Sequence, residues 1–242
     1  MADLTKLREL VAQSCRVLGK LNLTKEPSGH VSARVPGEDK VLIKARGPEE
    51  SGLRFVSARD IITVDFNGKK LAGDDGLDVP QEVFIHTWLY KTRPDVECVV
   101  HVHPLTEVLF TICGKPIQPL FGAYDPSGLR LLVDGLATYP RSITVSNEKL
   151  GEEFANAMGK KQACLMRGHG ITSAGPSVED ATLTAIKLND AAVINYQASL
   201  LGTPQPIPQE DIEILVGKSR GPGKSVHANS NWRYYCKLLD EE

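Results

Sequence analysis

From Val96 to Pro104 the chain reads Val-Glu-Cys-Val-Val-His-Val-His-Pro, and no other run limits the possible fold so strongly. A short, nearly unbroken apolar run is a strand buried on both faces, so other elements must cover it from both sides. Pro104 stops the strand, because it has no N–H for a ladder, and can open a helix through Leu105, Val108, Leu109 and Ile112. His101 and His103 thus end a buried strand two residues apart. The strand period of two points both imidazoles to one face, close enough to chelate one ion. An isolated His-x-His also lines pockets that hold no metal, so the pair needs further residues to decide its role.

The rest of the chain supplies the cover. Leu4, Leu7, Leu10, Val11, Leu18 and Leu21 fall near a 3.6 period and predict an amphipathic first helix. His30–Val35, Lys40–Lys44 and Ile61–Phe66, the last followed by an Asn67-Gly68 turn and a return segment, read as consecutive antiparallel strands. Pro80 to Tyr90 fits a short helix with Glu82 in its first turn. A helix from about Asn147 to Met158, capped by Ser146, precedes an apolar strand at Ala163–Met166. Ser177-x-x-Asp180 resembles a capping box opening a long helix to about Leu201. Strands paired early and interleaved with helices later predict an α/β domain with a mixed sheet, covered by helices on both faces. All 242 residues are expected in that one domain, with a Pro/Gly/Ser-rich tail from about residue 203. The tail leads to Trp232-Arg233-Tyr234-Tyr235, a cluster that needs a surface to dock on, either its own domain or a neighbouring subunit.

Composition removes several classes of function. With 28 Lys+Arg against 30 Asp+Glu there is no basic excess to release counterions from nucleic acid. The start carries an acid at Asp3, without the apolar core of a secretory signal, and nowhere do 18 apolar residues run together. The expectation is a cytoplasmic protein with neither nucleic acid nor membrane as partner. Five scattered cysteines offer no disulfide framework or zinc-ribbon spacing and read as small reduced hydrophobes.

The chemistry gathers around the paired histidines. Arg167-Gly168-His169-Gly170 places a third histidine between two glycines just after an apolar strand, where backbone can approach a site closely. Three neutral imidazoles with open positions suit a catalytic divalent ion, Zn²⁺, Mn²⁺, Fe²⁺ or Co²⁺. Glu82 precedes His101 by 19 residues, the span of one helix and a return strand, so its carboxylate can reach the same cleft. There it would ligate the ion or move a proton; the plainer alternative is a charge favoured in any first helical turn. His86, four residues on, is either a hydrogen-bonding neighbour of the site or a structural histidine.

Taken together, Glu82, the 19-residue gap, His101-x-His103 and Gly168-His169-Gly170 resemble the class II aldolase/adducin family over most of the chain, to about Leu201. That resemblance implies a three-layer α/β/α sandwich with a mixed, largely antiparallel sheet. It implies metal ligation by His101, His103 and His169, acid/base work by Glu82, and commonly a homotetramer with active sites between subunits. It also brings forward Tyr124, close to but not at the position where the phosphate aldolases carry a catalytic tyrosine, with Tyr234 and Tyr235 as further candidates.

The pattern breaks at the phosphate cradle. Where the sugar-phosphate members have a Ser-Gly-Asn-x-Ser turn and a pair of serines before the glutamate, this chain has Ser28-Gly29-His30-Val31-Ser32 and Pro80-Gln81. Proline offers neither hydroxyl nor N–H, so half of the cradle is gone. Ser28, Gly29, His30, Arg46 and Gln81 become candidate contacts for a small carboxylate substrate, since an Arg near a His suits a planar carboxylate. Arg34 stands with them, or points to solvent. The Gly-His-Val-Ser-Ala-Arg run is similar to family members that decarboxylate hydroxylated aromatic dicarboxylates. The resemblance therefore implies a metal-dependent carbon–carbon lyase acting as a decarboxylase, with Glu82 as the acid that reprotonates the ring. An aldolase of unphosphorylated hydroxy-keto acids, an Fe²⁺-dependent oxygenase and a non-catalytic adducin-like association module are the alternatives.

Overall fold

The computed structural model describes residues 4–217 and 226–241, so the first three residues, positions 218–225 of the tail and position 242 lie outside the described residues. An amphipathic helix α1 (Leu4–Lys20) leads into four antiparallel strands, β1 (His30–Arg34), β2 (Lys40–Lys44), β3 (Ile61–Asp65) and β4 (Lys70–Ala72). Then come α2 (Val83–Thr92), β5 (Cys98–Val102), α3 (Leu105–Cys113), α4 (Pro126–Asp134), β6 (Ala137–Tyr139) and α5 (Glu148–Met158). The hairpin β7 (Ala163–Met166) and β8 (Gly170–Gly175) precedes the long α6 (Val178–Leu201), and α7 (Gln209–Gly217) and α8 (Val226–Lys237) form the tail.

The strands make one sheet in the order β4-β3-β2-β1-β5-β8-β7-β6, antiparallel at every pairing except β6 with β7. Strand alternation divides its side chains between two cores. Val31, Ala33, Leu42, Cys98, Val100, Val102, Ala163, Leu165 and Ile171 face α1 and α6. Val41, Ile43, Ile62, Val64, Val99, Cys164, Met166 and Ala174 face α2 and α5. This is the expected α/β/α sandwich. Burying each large aliphatic side chain stabilises it by about 1.5–3 kcal/mol, and β5, buried at every position, contributes to both layers.

Local chemistry moves some boundaries. The residue that caps α5 is Asn147 rather than Ser146: its extended backbone lets the side chain accept from the Leu150 N–H at 3.0 Å. Glu82 stands just before the first turn of α2, not in it, with its side chain turned away from the helix ends. Ser177 caps α6 as expected, accepting from the Asp180 N–H. Unforeseen elements are β6, β8, α4, α7 and α8, each short or marked by small residues that give little periodic signal. Arg34 is neither at the site nor in solvent. It donates to the Tyr90, Arg93 and Val96 carbonyls at the end of α2 and stacks on Phe66 and Tyr90. The tail meets its own chain, where Trp232, Tyr235 and Leu239 pack on the α1/α6 core. No described helix is long and apolar enough to cross a membrane.

Two features of this packing lead to measurements. At Gly151 in α5 an added Cβ would stand 2.3 Å from Trp88 Cδ1 and 2.8 Å from the Phe84 carbonyl of α2. Gly151→Ala should therefore lower stability by about 1–3 kcal/mol in urea unfolding despite alanine's better helix propensity, and equal or greater stability would show that the two helices have room to part. Glu107 of α3 is fully buried, both carboxylate oxygens lack a partner among the described residues, and burial pushes its pKa up to about 8. A native pKa above the unfolded value near 4.5 means that the folded state binds the extra proton, so stability is lost as pH rises through that window. Glu107→Gln should thus gain on the parent protein by up to about 1.4 kcal/mol per pH unit across it, and hold no changing advantage at lower pH. A pH-independent difference between the two unfolding curves would rule this out.

Candidate active site

Sheet register assembles the site. In β1, β5 and β8, His30 lies opposite His101 and His101 opposite Thr172, so the three form a row on the face covered by α2 and α5. His103 follows the end of β5. His169 sits in the tight connection from β7 to β8, where Gly168 takes a positive φ of 59° and the His169 N–H reaches the Met166 carbonyl. Gly170 is required for a different reason: a Cβ there would lie 2.4 Å from the Val102 carbonyl and 2.7 Å from His103 Cδ2. The two glycines around His169 thus have separate tasks, one turning the chain and one letting it lie against β5.

Glu82 completes the group, and one ligand atom from each of Glu82, His101, His103 and His169 lies within 4.8 Å of every other. Its Oε2 is 3.3 Å from both His101 Nε2 and His169 Nε2, while Oε1 accepts from the buried Val145 N–H at 2.9 Å. His103 Nε2 is 2.9 Å from His101 Nε2. Donors about 2.0–2.1 Å from a shared ion stand roughly 2.8–3.4 Å apart in octahedral or tetrahedral arrangement, so these edges fit a divalent metal. The donor set, three imidazoles and a carboxylate, fits one as well. His101 Nδ1 meets Thr172 Oγ1 at 3.1 Å, the outer contact that orients a ligating histidine. His169 Nδ1 is buried without a partner among the described residues.

Electrostatics prepare the histidines as ligands. Burial, followed by the neighbouring His101 and His169, pushes His103 down to about 3. It is therefore neutral at physiological pH, with no proton to displace when a metal binds. Burial raises the Glu82 carboxyl, but the donors and charge of His101 and His169 outweigh it and hold the group below the usual carboxylate range. Glu82 is a carboxylate here, able to accept a proton before it can give one. His30 and His86, both buried, are held neutral in the same way, His86 down to about 3.

A similarity to known proteins follows the same lines. Residues 9–196 match the family model of the class II aldolase and adducin N-terminal domain. The chain belongs to the class II aldolase/adducin family. Among its relatives, the 3,4-dihydroxyphthalate decarboxylase of Arthrobacter keyseri is 39% identical over 231 residues, covering 94% of this chain and 91% of that one. The enzyme of the same name from Terrabacter sp. strain DBF63 is 40% identical over 230 residues, covering 94% of each chain. An aldolase II superfamily protein from Pseudomonas syringae superposes with a TM-score of 0.86 at 21% identity, over 99% of this chain and 94% of that one. This class II aldolase family member is an enzyme, a lyase.

Within the family frame the remaining candidates part company. His30 is 7% exposed, with its ring centroid 5.1 Å from that of His101. Gly29 beside it has φ 80°, and a Cβ there would press on the His101 carbonyl at 3.1 Å. Ser28 is occupied locally by Thr24 and the Lys25 carbonyl. Gln81 is exposed. Arg46 is exposed too, and its guanidinium is on Asp78 at 2.9 Å rather than beside His30. Tyr124 is 81% exposed, its ring against Phe121, and is not gathered into the histidine cluster of its own chain. Sequence reasoning passed over Thr172, Ser32 and Tyr90. Ser32 was detectable from its spacing of two from His30, and Tyr90 from its spacing of four from His86. Thr172 had no such signal, because β8 was not foreseen.

Thr172→Val keeps the shape of the side chain and removes the oxygen behind His101. Metal affinity, read by chelator competition, should fall about 10–100-fold with the fold intact; an unchanged affinity would mean that Thr172 does not orient the ligand.

Proposed function

We propose that this lyase removes CO₂ from a hydroxylated aromatic or heteroaromatic dicarboxylate, with Mn²⁺ or Zn²⁺ held by His101, His103 and His169. The observation that carries the reading is His30 beside the histidine cluster, with a ring nitrogen open to a ligand, where the sugar-phosphate aldolases have their phosphate turn. The substrate class named for the two decarboxylase relatives supports it. Pro80, buried and without an N–H, supports it just before Glu82. A divalent ion bound at these histidines supplies an electron sink for the negative charge that carbon–carbon cleavage leaves on the substrate.

The protein's own residues do the rest. His30 holds a substrate carboxylate, with Gly29 letting the β1 turn come close and with Ser28 and Gln81 on the rim. Arg46 joins only after exchanging Asp78 for the substrate. Glu82, ionised and anchored through Oε1 by the Val145 N–H, takes the substrate's hydroxyl proton on Oε2. It returns that proton to the ring carbon as the bond to the carboxylate breaks and CO₂ departs. The hydroxyl oxygen regains a proton from solvent as product leaves, so each turnover takes up one proton and releases one CO₂, with no oxidant or second substrate.

A homotetramer suits the exposed apolar residues Leu105, Leu109 and Ile112, which follow one face of α3 next to His103. In such an assembly Tyr124 is free to serve a neighbouring site as proton donor. A purely associating adducin-like module is disfavoured, because the whole ligand set is present and closely spaced.

Purified protein loaded with Mn²⁺ or Zn²⁺ should release one CO₂ per 3,4-dihydroxyphthalate or related hydroxy-diacid, and His101→Ala should lose both metal and activity. Release of an aldehyde or pyruvate from hydroxy-keto acids, with no CO₂ from any diacid, would replace the decarboxylase with an aldolase.

A further inference from the structure

Behind His30 runs a buried file of hydrogen bonds that the proposed chemistry does not use. His30 Nδ1 meets His86 Nε2 at 2.6 Å, His86 Nδ1 meets Ser32 Oγ at 2.6 Å, and Ser32 Oγ meets Tyr90 Oη at 2.7 Å. Ser32 and His86 are fully buried and Tyr90 is 2% exposed. The file joins two elements by simple periodicity: His30 and Ser32 share a face of β1, while His86 and Tyr90 are one turn apart on α2. Its inner end is sealed. Its outer end is His30 Nε2, which has no protein partner among the described residues and is not among the solvent-sealed orphan atoms.

The direction of the file follows from counting protons. The buried Tyr90 hydroxyl has one proton to donate, and Ser32 Oγ is its hydrogen-bond partner among the described residues. Ser32 then donates to His86 Nδ1. With its Nδ1 accepting, His86 must carry a proton on Nε2 and give it to His30 Nδ1, and His30, its own Nδ1 accepting, must carry a proton on Nε2. Running the file the other way strands the Tyr90 proton in the core without an acceptor, an arrangement native interiors avoid.

We infer that Tyr90, Ser32 and His86 are positioning residues that lock His30 in one neutral tautomer, its proton on Nε2, making it a fixed hydrogen-bond donor that selects a substrate oxygen acceptor. The inference rests on the decarboxylase reading for the identity of that acceptor, a carboxylate oxygen, and on the fold alone for the tautomer. It explains why a histidine rather than an arginine serves there. A neutral donor directs a carboxylate by geometry and adds no positive charge next to the metal ligands. It also makes His30 discriminate against ligands that present only a donor at this point, since it cannot turn its lone pair outward without reversing three bonds.

Long-range ¹H–¹⁵N correlation spectra of the Zn²⁺-loaded enzyme test this directly, with His30 assigned by its disappearance in His30→Gln. The expected spectrum has protonated Nε2 and bare Nδ1 for both His30 and His86. Ser32→Ala and the near-isosteric Tyr90→Phe should each mix the His30 tautomers and raise KM for the diacid about fivefold to tenfold, with kcat changing less. His30→Gln, which keeps a donor near Nε2, should hold KM better than His30→Leu. A His30 protonated on Nδ1 in the parent enzyme overturns the inference, as does a Tyr90→Phe enzyme with parental tautomer and KM. The spectrum needs no substrate. If no diacid is decarboxylated the functional reading falls and the tautomer stands; a wrong tautomer in an active decarboxylase removes only the inference.

Discussion

The register between β1, β5 and β8 is the constraint on which the rest of the molecule depends. Because side chains alternate along a strand, a slip of one residue in β1 would send His30 and Ser32 into the α1/α6 core and bring Val31 and Ala33 beside the metal ligands. The same slip would leave His86 and Tyr90 of α2 without partners in a sealed interior. Apolar packing on both faces therefore does more than hold the sandwich together. With Val31, Ala33, Val100 and Val102 committed to one core and Val99 to the other, the polar row His30, His101, Thr172 has one face on which to lie.

That row is unusual for how many ionisable groups it buries with so little charge. Burial makes a charged imidazole costly, and each neighbouring histidine makes a second charge costlier still, so His30, His86 and His103 share the neutral state. Glu82 is the exception, an anion held by the Val145 amide and by two imidazoles. A carboxylate set among imidazole nitrogens is arranged for a cation, and hydrogen bonds hold Glu82, His30 and His86 in place there. Glu107, in the adjoining helix, shows the opposite solution: a buried carboxyl with no such donors, which stays protonated instead.

Much of this was legible in the sequence, and the legible part has a physical character. Periodicity revealed α1, the early strands, α2 and α6, because each has one committed apolar face or a strong cap. The histidine cluster was legible through spacing, two residues along a strand for His101 and His103, and a glycine-flanked turn for His169. What stayed hidden depends on contacts between distant segments. β8, with small residues and no apolar run, is a strand because β5 and β7 supply its ladder. Nothing near Glu82 in sequence announces that the Val145 N–H will turn its carboxylate toward the histidines. Arg34 and Arg46 show the same limit from the other side: both have the chemistry to bind a carboxylate, and both are engaged within the chain, Arg34 by backbone carbonyls between α2 and β5 and Arg46 by Asp78.

The placement of these parts has a consequence for how such a protein changes over time. Of the proposed metal ligands, His101 rises from the middle of the sheet, buried on a strand that serves both cores, and Glu82, His103 and His169 close on it from adjoining strand and helix ends. Ser28 and Gln81 lie on turns at the margin, where side chains are partly or wholly in solvent and carry little of the fold's stability. On the proposed reading, a lineage built on this plan can retune the rim of its substrate site through such residues, whereas replacing the grip at His30 or the bond-breaking centre would mean rebuilding part of the sheet.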